Sequence, residues 1–282
     1  MSPFGARISE VLATRGPLCV GIDPHAHLLW TWGLPDSAAG ARDFALRVVE
    51  AAAPRVGIVK PQVAFFERFG AAGFVVLEEV LAAARAAGLL VIADAKRGDI
   101  GSTMDGYAAA WLAPDSPLEA DALTVSPYLG PESLRETATR AMRAGKGLFV
   151  LAATSNPEAW VVQGARTGDA VASEGETVAA RVARDATWLN GMGDGLGSIG
   201  LVVGATVDRH AVGLDDAALN RAPLLAPGFG AQGAALTEGP RIFGGVVGQV
   251  LPSVSRSVLG MGPDGVVTAI DSAIAEVASW QG

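Results

Sequence analysis

Eight short apolar runs separated by longer segments of helical character constrain this chain more than any other feature of it. The runs fall at residues 17–22, 56–59, 89–93, 122–125, 147–152, 199–203, 223–226 and 249–254. Most are almost wholly apolar and rich in Val, Ile and Leu instead of alternating with polar residues. That is the pattern of parallel strands covered on both faces. Between them, residues 37–53 are rich in Ala and Val, with Asp43 and Arg47 one helical turn apart. Residues 73–87 carry Val75, Leu77, Val80 and Leu81 as a helical stripe. Asp185, Trp188, Leu189 and Met192 predict another helix, and residues 266–280 a last one. Strictly alternating β and α with eight strands predicts an α/β fold, a single (β/α)8 TIM barrel occupying 1–282 as one domain. The eighth run is the weakest member, because Pro252 cannot donate to a ladder.

Composition removes several classes of function. Half of the 282 residues are apolar and 18% are charged, enough to bury a large core. A formal charge of −8 and the absence of a clustered basic face exclude a nucleic-acid surface. Arg7, Glu10 and Arg15 interrupt the first residues, which form no signal-peptide core, and no apolar run approaches the ~20 residues needed to span a bilayer. No membrane association is expected. The single Cys19, in the apolar run Leu18-Cys19-Val20, excludes a disulfide framework and reads as a buried thiol; a cytoplasmic location fits it.

Chemistry in such barrels gathers where strands end and βα loops begin. Five of the runs end in polar residues there: Asp23, Lys60 with Gln62, the segment Asp94 to Asp99, Thr154-Ser155-Asn156, and Ser255-Arg256. Asp94 and Lys96 are two apart on extended chain, so both should face the axis if Ile92 does. Asp99 follows the turn at Gly98, and Thr103 lies one helical turn on. With Lys60 from the neighbouring strand this makes two ammonium groups and two carboxylates. A structural ion-pair network would account for any lone pair among them. Four charges at the catalytic end of a barrel point instead to chemistry.

A Lys between carboxylates stays protonated, which suits a general acid delivering a proton to carbon better than a Schiff-base amine. Carboxylates beside an anion site suit expulsion of a substrate carboxylate as carbon dioxide. Arg256, with Ser253 and Ser255 before it, reads as a phosphate grip, since loops after strands seven and eight commonly bind phosphate. The Gly-rich stretch Pro227-Gly228-Phe229-Gly230-Ala231-Gln232-Gly233 opens one of two long irregular segments, 155–175 and 227–245, and its amides suit an anion. His25, His27 and His210 are too scattered to ligate a metal and read as structural or solvated, so no metal site is expected. Asp23 with Asp94 is the one conceivable cation pair, and Lys96 competes there. Trp111, Trp160 and Trp188 read as packing residues, and no dinucleotide loop, P-loop or nucleophile elbow has the strand context it needs.

The segment Asp94-Ala95-Lys96-Arg97-Gly98-Asp99-Ile100-Gly101-Ser102-Thr103 resembles the signature of the orotidine 5'-phosphate decarboxylase family, whose DxKxxD core is shared across a wider suprafamily. Gly21-Ile22-Asp23-Pro24, Val59-Lys60-Pro61-Gln62-Val63-Ala64-Phe65-Phe66-Glu67, Thr154-Ser155-Asn156-Pro157, the Pro227 to Gly233 stretch and Ser255-Arg256 resemble further segments of its longer bacterial branch, type 2. The resemblance implies a homodimeric TIM barrel that decarboxylates orotidine 5'-monophosphate to uridine 5'-monophosphate without a cofactor. Lys96 would protonate C6 within an array of Lys60, Asp94 and Asp99. Asp23 would bind ribose, Ser155 the pyrimidine, Gln232 the base and phosphate region, and Arg256 the phosphate. Asp99 and Thr103 would reach the neighbouring subunit's site. Ser257 stands where the family often has Gly. Two other readings stay open: a Mg2+-dependent suprafamily relative acting on a sugar phosphate, against which Lys60 argues, and a nucleotide-binding barrel without catalysis, against which the intact array argues.

Overall fold

In the computed structural model, which describes residues 2–168, 175–191 and 194–281, the eight apolar runs close into one barrel. Its strands are β1 (Cys19–Ile22), β2 (Ile58–Pro61), β3 (Leu90–Arg97), β4 (Ala122–Val125), β5 (Gly147–Ala153), β6 (Ile199–Val203), β7 (Leu224–Ala226) and β8 (Val250–Val254). Every neighbouring pair is parallel, and β8 closes onto β1. Pro252 is tolerated because it lies opposite Ala226, the last residue of the short β7, where that ladder ends.

Side-chain parity divides the strands between two cores. Cys19, Ile58, Leu90, Ile92, Ala122, Phe149, Val202, Leu225 and Leu251 fill the barrel. Their neighbours Val20, Val59, Val91, Ala93 and Leu123 face outward under the helices. Those helices include Ala38–Ala52, Gly70–Ala86, Gly101–Leu112, Arg135–Arg143, Val178–Trp188 and Gly262–Ala278. Ser37 starts the first of them by accepting a hydrogen bond from the Gly40 amide at 3.2 Å. Parity with Ile92 and Ile58 directs Asp94 and Lys60 to the axis, at the C-terminal end of their strands.

The N-terminal helix Phe4–Arg15, which precedes the first apolar run and carries Phe4, Ile8, Val11 and Leu12 at helical spacing, closes the opposite end. Phe4 and Ile8 join the interior cluster, and the Phe4 ring meets Phe149 edge-on at 6.0 Å. Phe4 and Ile8 thereby seal the apolar interior from below, and the buried Asp121 and Lys146 at this end pair with each other and with Arg7 and Glu119.

The repeat breaks between β6 and β7, where residues 204–223 turn without forming a helix. Buried Arg209 holds this connection by donating to the carbonyls of Leu214, Ile242 and Phe243 at 2.8, 3.2 and 3.2 Å and pairing with Asp216 at 2.6 Å. The two long irregular segments carry short helices, Ala159–Gln163 and Gly239–Phe243. Residues 169–174 and Met192 lie outside the described residues. Of the three tryptophans expected to pack, only Trp111 is buried. Trp160 and Trp188 are 58% and 63% exposed, the latter with the Arg135 guanidinium 4.7 Å from its ring centroid.

A Cβ added at Gly147 would lie 2.2 Å from a Phe4 ring carbon. Gly147→Ala therefore overpacks the floor and should destabilise the protein by about 1–3 kcal/mol. Chemical denaturation of both proteins measures this; an unchanged midpoint would show that the plug helix yields freely.

Candidate active site

The polar mouth of the barrel is centred on the Asp94 carboxylate, which is 8% exposed. Its Oδ2 accepts from Lys60 Nζ at 2.8 Å and Gln62 Nε2 at 3.1 Å. Its Oδ1 accepts from Lys96 Nζ at 2.6 Å and Thr124 Oγ1 at 3.0 Å. Burial works against the charge of Asp94, but the Lys60 and Lys96 ammonium groups outweigh it and hold the carboxyl well below the usual carboxylate range. Burial likewise opposes the charge on Lys60, and Asp94 with Asp23 overcomes it, raising that group above an ordinary lysine. Each buried ion thus has a compensating partner. Cys19, also inside the barrel, has the Lys60 charge and the Ser253 hydroxyl to offset burial, but burial outweighs both and pushes its thiol up to about 12.

The meeting of Asp94 and Lys96 does not come from regular extended chain. β3 and β4 pair at Ala93–Leu123 and again at Arg97–Val125, so three residues of β3 lie opposite the single Thr124. Within this bulge Lys96 adopts φ +49°, a left-handed conformation that costs a side-chain-bearing residue energy. The bulge re-aims the Lys96 side chain, which is 45% exposed, into the cavity above Asp94.

That cavity has a volume of about 460 Å3. Seven of the nine residues singled out from sequence line it: Asp23, Lys60, Asp94, Lys96, Ser155, Gln232 and Arg256. Asp23 comes from the end of β1, Ser155 from the loop after β5, Gln232 from the Gly-rich loop after β7, and Arg256 from the first turn of the short helix Arg256–Leu259. Buried Asp23 Oδ1 and Ser255 Oγ carry no hydrogen-bond partner among the described residues, which marks both as places where a ligand's hydroxyls or phosphate oxygens would be satisfied. Asp99 and Thr103 do not line the cavity of their own chain. Asp99 is half-buried and accepts from the Ile100 amide at 2.8 Å, and Thr103 is exposed in the first turn of its helix.

Gly230 has φ +68°, and a Cβ there would lie 2.5 Å from Ser257 Oγ. Ser257 therefore turns its side chain against the Gly-rich loop and leaves the cavity to Arg256. Three groups were missed or misread from sequence. Gln62 and Thr124 are ligands of the Asp94 carboxylate. His25, read as structural or solvated, lines the cavity with its ring 3.8 Å from that of Phe65. Burial lowers the His25 pKa, Asp23 opposes this, and His27 and Arg256 add to it. Gln62 stood beside Lys60 in a strand end already marked, whereas Thr124 lies within an apolar strand, where only its parity with the interior Ala122 points it inward.

Asp94 contributes stability that is fully present above its unfolded pKa of 3.8 and is lost as pH falls toward its depressed native value. Asp94→Asn removes the carboxylate to which both ammonium groups donate, leaving Lys60 only the more distant Asp23, and should cost about 3–5 kcal/mol. Denaturant titrations should show that gap constant from about pH 5 to 9 and narrowing below about pH 4. A gap that widens in acid would contradict the assignment.

The profile of the "Orotidine 5'-phosphate decarboxylase / HUMPS family" matches residues 16–269. An orotidine 5'-phosphate decarboxylase of Streptomyces coelicolor is 54% identical over 276 residues, 97% of this chain and 95% of its own. A solved structure from Streptomyces avermitilis is 52% identical with a TM-score of 0.92, covering 99% of this chain and 96% of that one. The OMP decarboxylase structure of Leishmania donovani is 33% identical with a TM-score of 0.77, covering 99% and 98%. With the profile spanning most of the chain and relatives of this identity matching nearly end to end, the chain belongs to the orotidine 5'-phosphate decarboxylase family.

Proposed function

We propose that the protein, acting as one barrel domain over 1–282, decarboxylates orotidine 5'-monophosphate to uridine 5'-monophosphate and carbon dioxide, the last step of de novo pyrimidine nucleotide synthesis. The observation that carries this is the Lys60–Asp94–Lys96 array at the floor of a cavity with Arg256 on its wall. Arg256 and the amides of the Gly-rich loop hold the phosphate, Asp23 the ribose hydroxyls, and Ser155 and Gln232 the base. The substrate carboxylate then lies beside Asp94 and C6 beside Lys96. As the C6–carboxylate bond breaks, its electron pair stays on C6 and takes a proton from the Lys96 ammonium. Solvent reprotonates the amine through the open side of Lys96. Fixed charges stabilise the developing carbanion without an electron-accepting cofactor.

Both Asp94 oxygens already receive ammonium groups, so a divalent cation would have to displace one of them. This weighs against a metal-dependent relative using the same core. The second subunit enters through Asp99 and Thr103, which in this reading complete the partner's site in a homodimer. No helix among the described residues is long and apolar enough to cross a membrane. A cytoplasmic site of action is part of the proposal.

Purified protein should consume orotidine 5'-monophosphate, followed by loss of orotate absorbance, equally well with and without EDTA. Loss of activity in EDTA supports the metal-dependent reading, and no turnover at all supports a binding protein. Lys96→Ala should lower kcat by at least about 10²–10⁴-fold, the range expected for a lost general acid, with the fold intact by circular dichroism; near-normal activity would sink the mechanism. Mixing inactive Lys96→Ala and Asp99→Ala dimers should restore activity in about a quarter of the sites if Asp99 crosses the interface. No recovery on mixing would place Asp99 in its own chain's site.

A further inference from the structure

The bulge in β3 leaves the Lys96 backbone N–H without a β4 carbonyl in regular register, and a side chain takes that role. Lys96 N donates to Thr124 Oγ1 at 2.9 Å, and the same hydroxyl lies 3.0 Å from Asp94 Oδ1, to which Lys96 Nζ also donates, at 2.6 Å. Thr124 is 1% exposed, so water does not compete for it. A hydroxyl has one proton to give. With the Lys96 amide donating to its oxygen, that proton goes to the Asp94 carboxylate. The result is a closed ring from the Lys96 backbone through Thr124 and Asp94 to the Lys96 ammonium.

We infer that Thr124 is a positioning residue for Lys96, clamping both ends of the lysine through a single buried hydroxyl. The inference rests on the decarboxylase reading, which assigns Lys96 the proton transfer. A residue at φ +49° persists only where its surroundings over-determine it. The side chains at this bulge able to do so are Asp94, which fixes the ammonium, and Thr124, which fixes the amide. Without the hydroxyl, the bulge can relax toward regular pairing and swing the ammonium off the reacting carbon. Thr124 lines no part of the cavity, so the nucleotide would not touch it and its effect must appear in the chemical step.

The test compares wild type, Thr124→Val and Thr124→Ser for orotidine 5'-monophosphate turnover and for binding of uridine 5'-monophosphate. Val is nearly isosteric and removes both hydrogen bonds; Ser keeps the hydroxyl. Thr124→Val should lower kcat about 10- to 100-fold, the scale on which ångström-level misplacement costs rate. KM and product affinity should stay within about twofold, since the loss falls on the transition state alone, and Thr124→Ser should recover most of the rate. Should Thr124→Val fail to fold, Thr124→Ala is read in its place by the same criteria. A Val variant with wild-type kcat, a loss confined to KM, or a Ser variant as impaired as Val each overturns the inference while leaving the decarboxylase reading intact. Absence of turnover in the wild-type protein overturns both.

Discussion

The Asp94 carboxylate is the group around which the rest of the site is built. It accepts from two ammonium groups, an amide and a hydroxyl supplied by β3, β4, β2 and the residue just past β2. A buried ion with fewer partners would pay most of its desolvation cost without return. Here each oxygen takes two donors, so the carboxylate is satisfied, stays ionised and has little freedom to turn. Reorganisation is what fixed charges avoid at the moment of reaction, and this is where their advantage over water arises. The same saturation makes Asp94 a poor base: it holds Lys60 and Lys96 in place and presents negative charge, and Lys96 is left as the group able to move a proton.

The barrel interior separates this array from the charges at its far end, where Arg7, Glu119, Asp121 and Lys146 pair among themselves. Below Asp94 the interior is apolar down to Phe4 and Ile8 of the N-terminal helix. Even the one thiol there is held neutral by burial, with the Ser253 hydroxyl beside it. A closed floor lets the array sit in a low-dielectric environment on one side and face the cavity on the other. Stability and chemistry are thereby assigned to opposite ends of the same strands, as the barrel architecture generally permits.

The fold was legible because period-two parity and apolar runs are properties of the chain itself; the eight strands fall within a few residues of the runs. Lys60, Asp94 and Lys96 were legible because charges at the ends of apolar strands have few structural explanations. Thr124 and Gln62 were not, since a neutral polar residue at a strand end is common and its role depends on which carboxylate it meets. Extended-chain reasoning placed Asp94 and Lys96 on one side correctly, yet it could not foresee the bulge, which depends on the pairing of β3 with β4. The helix Phe4–Arg15 was legible in principle, since Phe4, Ile8, Val11 and Leu12 recur at helical spacing, but that this stripe plugs the barrel depends on partners far away in sequence. The place of His25 beside the cavity was not legible for a similar reason: only the folded chain sets its ring against Phe65 and the cavity.

Charge also explains how a protein of net −8 accommodates a phosphorylated, carboxylated ligand. The cavity gathers three cations, Lys60, Lys96 and Arg256, against two carboxylates, Asp23 and Asp94. Burial lowers the His25 pKa, which disfavours a further positive charge there. Of the three cations, Lys60 and Lys96 are already paired with Asp94, so in the proposed reading the phosphate's attraction falls on Arg256 and on the amides of the Gly-rich loop. Those groups sit on a loop and at a helix start, while the array sits on strands. Under the proposed function, binding energy from the remote phosphate can therefore be spent on ordering loops without disturbing the array on the strands. The fold thus places the loop-borne Arg256 and Gly-rich stretch apart from the strand-borne array, and the β3 bulge at Lys96 is held to β4 by the hydrogen bond from the Lys96 amide to the Thr124 hydroxyl.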